Sequence, residues 1–202
     1  AAAREAKNAE CYVTLFSDGT ITKTENPYEQ ERSPVGITTQ VKTRTQEKII
    51  LVLKDGEAMK VPVSHISEDA VLDIKTVTGI SSDSIVGLGV EKLDKGDVGL
   101  LVVSSDGGVN IVNKFPNSDK FTLTKLKDET LKFATWIDKE AYSKLLVLVS
   151  SDGYITSFPV EQVRTSNSGA GTVRGMNVDK SAKIAGAAVA TEDTAEVVSC
   201  TH

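Results

Sequence analysis

Leu145-Leu146-Val147-Leu148-Val149-Ser150-Ser151-Asp152-Gly153-Tyr154-Ile155-Thr156 decides how this chain folds, because the same pattern occurs three more times. The other copies are Cys11-Tyr12-Val13-Thr14-Leu15-Phe16-Ser17-Asp18-Gly19-Thr20-Ile21-Thr22, Ile49-Ile50-Leu51-Val52-Leu53-Lys54-Asp55-Gly56-Glu57-Ala58-Met59-Lys60 and Gly99-Leu100-Leu101-Val102-Val103-Ser104-Ser105-Asp106-Gly107-Gly108-Val109-Asn110. Each is an apolar, β-branched run, a polar residue, Asp-Gly and a second strand. Asp-Gly between two such runs predicts a tight primed hairpin turn, in which Gly supplies positive φ without steric cost. The glycines fall at 19, 56, 107 and 153, in steps of 37, 51 and 46 residues. A hairpin recurring at that period is one supersecondary unit used repeatedly, as in a propeller.

Composition agrees. With 202 residues and 40% hydrophobic content the chain can bury a sizeable core. Only 5% is aromatic, so that core rests on Val, Ile and Leu, which favour strands. No apolar stretch approaches a membrane span. The first ten residues lack an apolar centre and are expected to be a frayed helical lead-in, not a signal peptide. Cys11 and Cys200 lie at opposite ends without metal-type spacing, so both are expected to be reduced and structural, in a cytoplasmic setting.

Four β units are predicted, near 11–47, 48–97, 98–143 and 144–194. Residues 195–202 look like the first strand of a fifth, which suggests a piece of a longer polypeptide. Val71–Val77 alternates like a half-exposed strand, and Ile37–Thr45 and Ile184–Ala190 are further strands. Pro27, Pro62, Pro116 and Pro159 follow the hairpins and suggest that every unit has the same outer corner.

The net charge of −5 argues against a nucleic-acid binder when taken as a whole. The charge is uneven, however. Residues 164–183 carry Arg164, Arg174, Lys180 and Lys183 against Asp179 alone, whereas the last dozen residues carry Glu192, Asp193 and Glu196 with no Lys or Arg.

The fourth unit carries the most specific signal. Phe158-Pro159-Val160-Glu161-Gln162-Val163-Arg164, followed by Gly169-Ala170-Gly171-Thr172-Val173-Arg174-Gly175-Met176-Asn177-Val178, resembles the C-terminal domains of bacterial type IIA topoisomerase A subunits. There a strand ending F-x-x-x-x-[VI]-R precedes a turn of the form G-V-R-G-[IM]-x-[LV]. Ser150-Ser151-Asp152-Gly153-Tyr154-Ile155-Thr156 is similar to the family's hairpin signature, and the likeness runs over about residues 10–202. The resemblance implies an all-β fold, a β-pinwheel with about four blades and the start of a fifth, in which neighbouring blades exchange a strand. It also implies duplex DNA bound and bent along the outer rim. The gyrase branch carries a box, Q-[RK]-R-G-G-[RK]-G, in the first blade. The corresponding residues here are Gln30-Glu31-Arg32-Ser33-Pro34-Val35-Gly36, of which Gln30, Arg32 and Gly36 match. The lost cations and glycines remove phosphate neutralisation and close backbone approach, and so point to the topoisomerase IV branch.

No catalytic constellation is visible. Tyr12, Tyr28, Tyr142 and Tyr154 lack the Arg-Tyr context of the family's strand-cleaving site and are expected to be packed aromatics; His65 and His202 are isolated. Asp18, Asp55, Asp106 and Asp152 are explained by turn chemistry. The fragment is therefore expected to be non-catalytic and free of cofactors. By resemblance, its parent would use ATP on a B subunit and magnesium, pair with a second A subunit, and act on the bacterial chromosome without a membrane. Arg164, Arg174, Arg32, Lys180, Lys183 and Lys23 are the candidate DNA contacts. The competing expectation is a propeller-like protein-interaction platform with no DNA contact, which the acidic balance favours.

Overall fold

The computed structural model describes residues 7–29 and 35–191. The predicted fifth-unit strand at 195–202, most of the box remnant, Cys200 and His202 lie outside them. The first unit supplies β1 (Glu10–Phe16), β2 (Thr20–Thr24) and β3 (Ile37–Arg44). The second supplies β4 (Lys48–Leu53), β5 (Glu57–Pro62), β6 (Leu72–Asp73), helix α1 (Ile74–Thr78) and β7 (Ile85–Val90). The third holds β8 (Gly99–Ser104), β9 (Gly108–Lys114), β10 (Lys120–Thr122), β11 (Thr124–Lys125), β12 (Leu131–Ile137) and helix α2 (Lys139–Tyr142). The fourth holds β13 (Leu145–Ser150), β14 (Ile155–Pro159), β15 (Thr165–Asn167), β16 (Ala170–Gly171), β17 (Val173–Arg174) and β18 (Ile184–Ala190).

Four small sheets form a propeller-like ring. Their strand orders are β3-β1-β2-β6, β10-β5-β4-β7, β12-β8-β9-β15 and β14-β13-β18. The first three are each completed by a short strand from the following unit: β6 in the first, β10 in the second and β15 in the third. At the opposite edges β3 packs on β7, β7 on β12, and β12 on β18, so these edges crowd toward the axis and the exchanged strands lie at the periphery. Gly87 makes that crowding possible, because a Cβ there would lie 2.2 Å from the Ala134 carbonyl oxygen.

Alternation along the central strands explains the apolar runs. Ile49 and Leu51 of β4 enter a core shared with the first sheet, and Ile50 and Val52 enter one shared with the third. In β8, Leu100 and Val102 face the second sheet and Leu101 and Val103 face the fourth. Strands covered on both faces must be apolar at every position.

The hairpins form where predicted, but with a different turn. The Gly N–H bonds the carbonyl three residues earlier in all four: Gly19 to Phe16 and Gly56 to Leu53 at 3.0 Å, Gly107 to Ser104 and Gly153 to Ser150 at 3.1 Å. Positive φ is confined to the glycines, between 82° and 91°, and none of the four Asp residues shares it. This is a type I turn followed by a Gly bulge, not a two-residue primed turn. The Asp stays right-handed because its carboxylate accepts the N–H just beyond the Gly, as Asp18 does from Thr20 and Asp55 from Glu57, each at 3.0 Å.

Other expectations need correction. Val71–Val77 is only briefly strand. Asp73 caps α1 by accepting the Lys75 N–H at 2.7 Å, and Gly79 closes it with φ 76°. The lead-in is not helical at residues 7–9, and Glu10 already belongs to β1. Pro62 and Pro159 do occupy matching corners, each starting a single 3₁₀ turn that buries Val63 or Val160. Pro27 and Pro116 start no such turn. Tyr154 is not packed but 67% exposed at the fourth hairpin.

Candidate nucleic-acid interface

The tips of the first three hairpins are docking points for the exchanged chain. The Gly19 carbonyl accepts the Ile74 N–H, that of Gly56 accepts Leu123 and Thr124, and that of Gly107 accepts Gly175 and Met176, all between 2.9 and 3.2 Å. These bonds fix where each unit's exchanged segment crosses its neighbour. In the third sheet they carry the chain from β15, along the outer edge of β9, through the Gly-rich turn and back as β17 onto the same edge.

Arg164 and Arg174 bracket that turn. The Arg164 carbonyl accepts the Ile111 N–H at 2.9 Å, extending the β15–β9 ladder, while its exposed guanidinium donates to the Gly171 carbonyl at 2.8 Å. Arg174 on β17 pairs with Gly108, and its guanidinium donates to Asn177 Oδ1 at 3.2 Å. Both side chains are exposed on the peripheral edge of the third blade. Beside them lies a cleft of about 260 Å³ lined by Lys125, Lys127, Gly171, Thr172 and Arg174 together with Asp106 and Glu129. Lys125 and Lys127 were not among the residues expected from sequence. They come from the third unit and reach the cleft because β11 runs parallel to β16, with Lys125 opposite Gly171.

The remaining candidates are dispersed. Lys180 and Lys183 are exposed near the fourth hairpin, where Lys183 N–H donates to Ser151 Oγ at 3.1 Å. Lys23 is only 9% exposed: the exchanged segment runs alongside it, bridging Lys23 to Glu68, so it presents no open cation. Gly36 is exposed, and its carbonyl accepts the Ser17 N–H at 2.8 Å beside the first hairpin. Gln30 and Arg32 lie outside the described residues.

The titratable groups show turn and ion-pair chemistry. Hydrogen bonds from the hydroxyl and N–H of Thr20 lower the Asp18 carboxyl below its usual value. The Lys48 ammonium, at 2.7 Å, does the same for Asp119. Burial pushes the Cys11 thiol up. Among the described residues no group of His, Cys, Asp and Glu is arranged to hold a metal ion, and no helix is long and apolar enough to cross a membrane.

Small sheets around one axis, the first three completed by a strand from the next unit, define a β-pinwheel. The fold is that of the C-terminal domains of type II topoisomerase A subunits. A crystal structure of the C-terminal domain of DNA topoisomerase IV superposes with a TM-score of 0.69 and 18% identity, covering 93% of this chain. The chain spans 63% of that domain's length. The E. coli ParC C-terminal domain gives 0.61 at 15% identity, over 91% of this chain and 80% of that one. The DNA gyrase A C-terminal domain gives 0.57 at 15%, over 89% and 64%. No family model and no curated protein matches the sequence.

Proposed function

We propose that this chain binds duplex DNA along its outer rim and bends it, as the non-catalytic C-terminal domain of a type IIA topoisomerase A subunit. One observation carries the reading. Arg164 and Arg174, the two arginines of the motif resemblance, are both exposed on the peripheral edge of the third blade, either side of a turn whose Gly171 has no side chain. Cations around an approachable backbone suit phosphates, and such contacts hold a duplex without reading its bases. The degenerate box at residues 30–36, with Glu31, Ser33-Pro34 and Val35 in place of cations and glycines, favours the topoisomerase IV branch over gyrase. The parent enzyme would act on the bacterial chromosome in the cytoplasm, with a second A subunit, magnesium and an ATP-using B subunit. In a gel-shift titration with long duplex DNA, Arg164→Ala with Arg174→Ala weakens binding and flattens its salt dependence. Unchanged binding by the double variant removes both residues from the interface.

A second reading, a protein-interaction platform, is favoured by the net charge of −5 and by Tyr154 and Ile155, which are 67% and 52% exposed at the fourth hairpin. Absence of any salt-sensitive shift with the unaltered chain decides for it.

A further inference from the structure

The cleft beside Arg174 is assembled from two exchanged segments, and nothing in either segment alone makes it. Lys125 and Lys127 leave the segment that the third unit lends to the second sheet; Gly171, Thr172 and Arg174 belong to the one the fourth unit lends to the third. The β11–β16 pair joins them, with Thr124 opposite Ala170 and Lys125 opposite Gly171, and the Gly169 N–H bonds the Leu123 carbonyl at 2.9 Å. Leu126 packs against the core between the second and third sheets, while Lys125 and Lys127 on either side of it are exposed. Both lysines line the cleft.

The remaining walls combine open backbone and a hydroxyl with two carboxylates, so three cations face two acids. A Cβ on Gly171 would have only the Lys125 carbonyl oxygen nearby, at 3.9 Å, so that backbone is open to a close partner. Gly108 has no side chain where the Thr172 hydroxyl sits; a Cβ there would be 2.1 Å from Thr172 Oγ1. The two carboxylates are turned to their own loops. Asp106 accepts from Ser104 Oγ and, at 3.4 Å, from the Gly108 N–H, and Glu129 accepts the Lys127 N–H at 3.1 Å. Neither Lys125 nor Lys127 forms an ion pair among the described residues. A cleft of about 260 Å³ has room for a phosphodiester and several waters.

We infer that this cleft is a composite phosphate seat: Lys125, Lys127 and Arg174 hold one stretch of duplex backbone, and Arg164 is a positioning residue that pins the Gly171 carbonyl. The inference rests on the duplex-binding reading above. A backbone seated there touches both lent segments at once, so binding also holds the third and fourth units together.

The test uses the full chain and a long duplex, followed by fluorescence anisotropy across a salt series. Lys125→Gln with Lys127→Gln is expected to lower the magnitude of the slope of log K against log salt by about 1.8, the share of two phosphate contacts. Lys92→Gln with Lys95→Gln, which removes the same charge from an exposed loop elsewhere, is expected to change it much less. Duplex is expected to raise the unfolding midpoint of the unaltered chain more than that of the Lys125/Lys127 variant. If the Lys92/Lys95 variant loses as much, overall charge is responsible and the seat is overturned. If Arg164→Ala with Arg174→Ala weakens binding while the Lys125/Lys127 variant matches the unaltered chain, the seat is overturned and duplex binding stands. An unaltered chain that binds no duplex overturns both.

Discussion

The Lys60 ammonium lies 2.9 Å from Glu91 Oε1, an ion pair between β5 and the residue after β7 in which the lysine side chain is 2% exposed and the glutamate 27%. Lys60 also donates to the Pro116 carbonyl at 2.6 Å, on the segment leading into the exchanged strand β10. One cation thus ties three pieces of chain. Removing the glutamate leaves the buried ammonium uncompensated, which costs up to about 3–5 kcal/mol where both partners are buried and less here, whereas an apolar side chain in place of the lysine is tolerated far better. Glu91→Ala is therefore expected to destabilise the fold more than Lys60→Met does, measured as the shift in urea midpoint at unchanged m value. The reverse order would show that the ion pair does not hold the exchanged segment.

The tip glycines differ in what surrounds them, and that predicts different tolerances. A Cβ on Gly107 would lie 2.3 Å from the Met176 carbonyl oxygen, but one on Gly153 would meet nothing within 4 Å. Both have φ near 90°, so alanine at either position carries left-handed strain of about 1–2 kcal/mol. Gly153→Ala is expected to cost that and no more. Gly107→Ala costs more, because the exchanged segment must also move away. Equal losses in denaturant titrations would mean that the tip contact is not tight.

Asn110 has the same place in the third hairpin as Thr22 in the first, three residues beyond the tip Gly, and both reach the exchanged segment. Thr22 Oγ1 donates to the Ala70 carbonyl at 2.8 Å, and the fully buried Asn110 donates from Nδ2 to Ser166 Oγ at 2.7 Å. Ser166→Ala strands that buried amide donor, at about 1–3 kcal/mol. Amide exchange is expected to accelerate first in β15 and its partner positions on β9, before the inner strands respond. Uniform acceleration over all four sheets would contradict an independent role for this bond.

What was legible in the sequence was local. The Asp-Gly tips, the doubly covered runs of β4 and β8 and the bounds of β18 each depend on residues adjacent in the chain. The exchanged pairings were not legible, since β6, β11, β16 and β17 have two residues each; β6, β11 and β17 are positioned by N–H groups that reach a tip carbonyl on another unit, and β16 by its pairing with β11. Val71–Val77 alternates like a strand, but the Asp73 cap and Gly79 terminator outweigh that period. The site divides the same way. Arg164 and Arg174 stand out because they flank glycines in one segment. Lys125 and Lys127 read as an ordinary solvated run, and only the parallel β11–β16 pairing gives them neighbours. Lys23 reads as solvent-facing between two threonines until the Glu68–Asp69 segment is laid beside it.

Cys11 offers a pH test of the packing between the first two sheets. Its thiol is 4% exposed, and burial raises it above its ordinary value of 9.0 against the opposing pull of Lys23. The folded chain therefore holds this proton more tightly than the unfolded one. The stability it contributes is fully present below about pH 9 and is lost as pH rises through the higher folded value. Asp18 works with the opposite sign: its lowered carboxyl stabilises above the usual 3.8, and that contribution disappears as pH falls through its folded value. In a Cys200→Ser background, Cys11→Ala is expected to flatten the alkaline fall in unfolding free energy while leaving the acid limb unchanged. In that background a thiol reagent should label Cys11 only at the rate of unfolding. Rapid labelling under native conditions, or an alkaline limb that is the same with and without Cys11, would show that this core admits water.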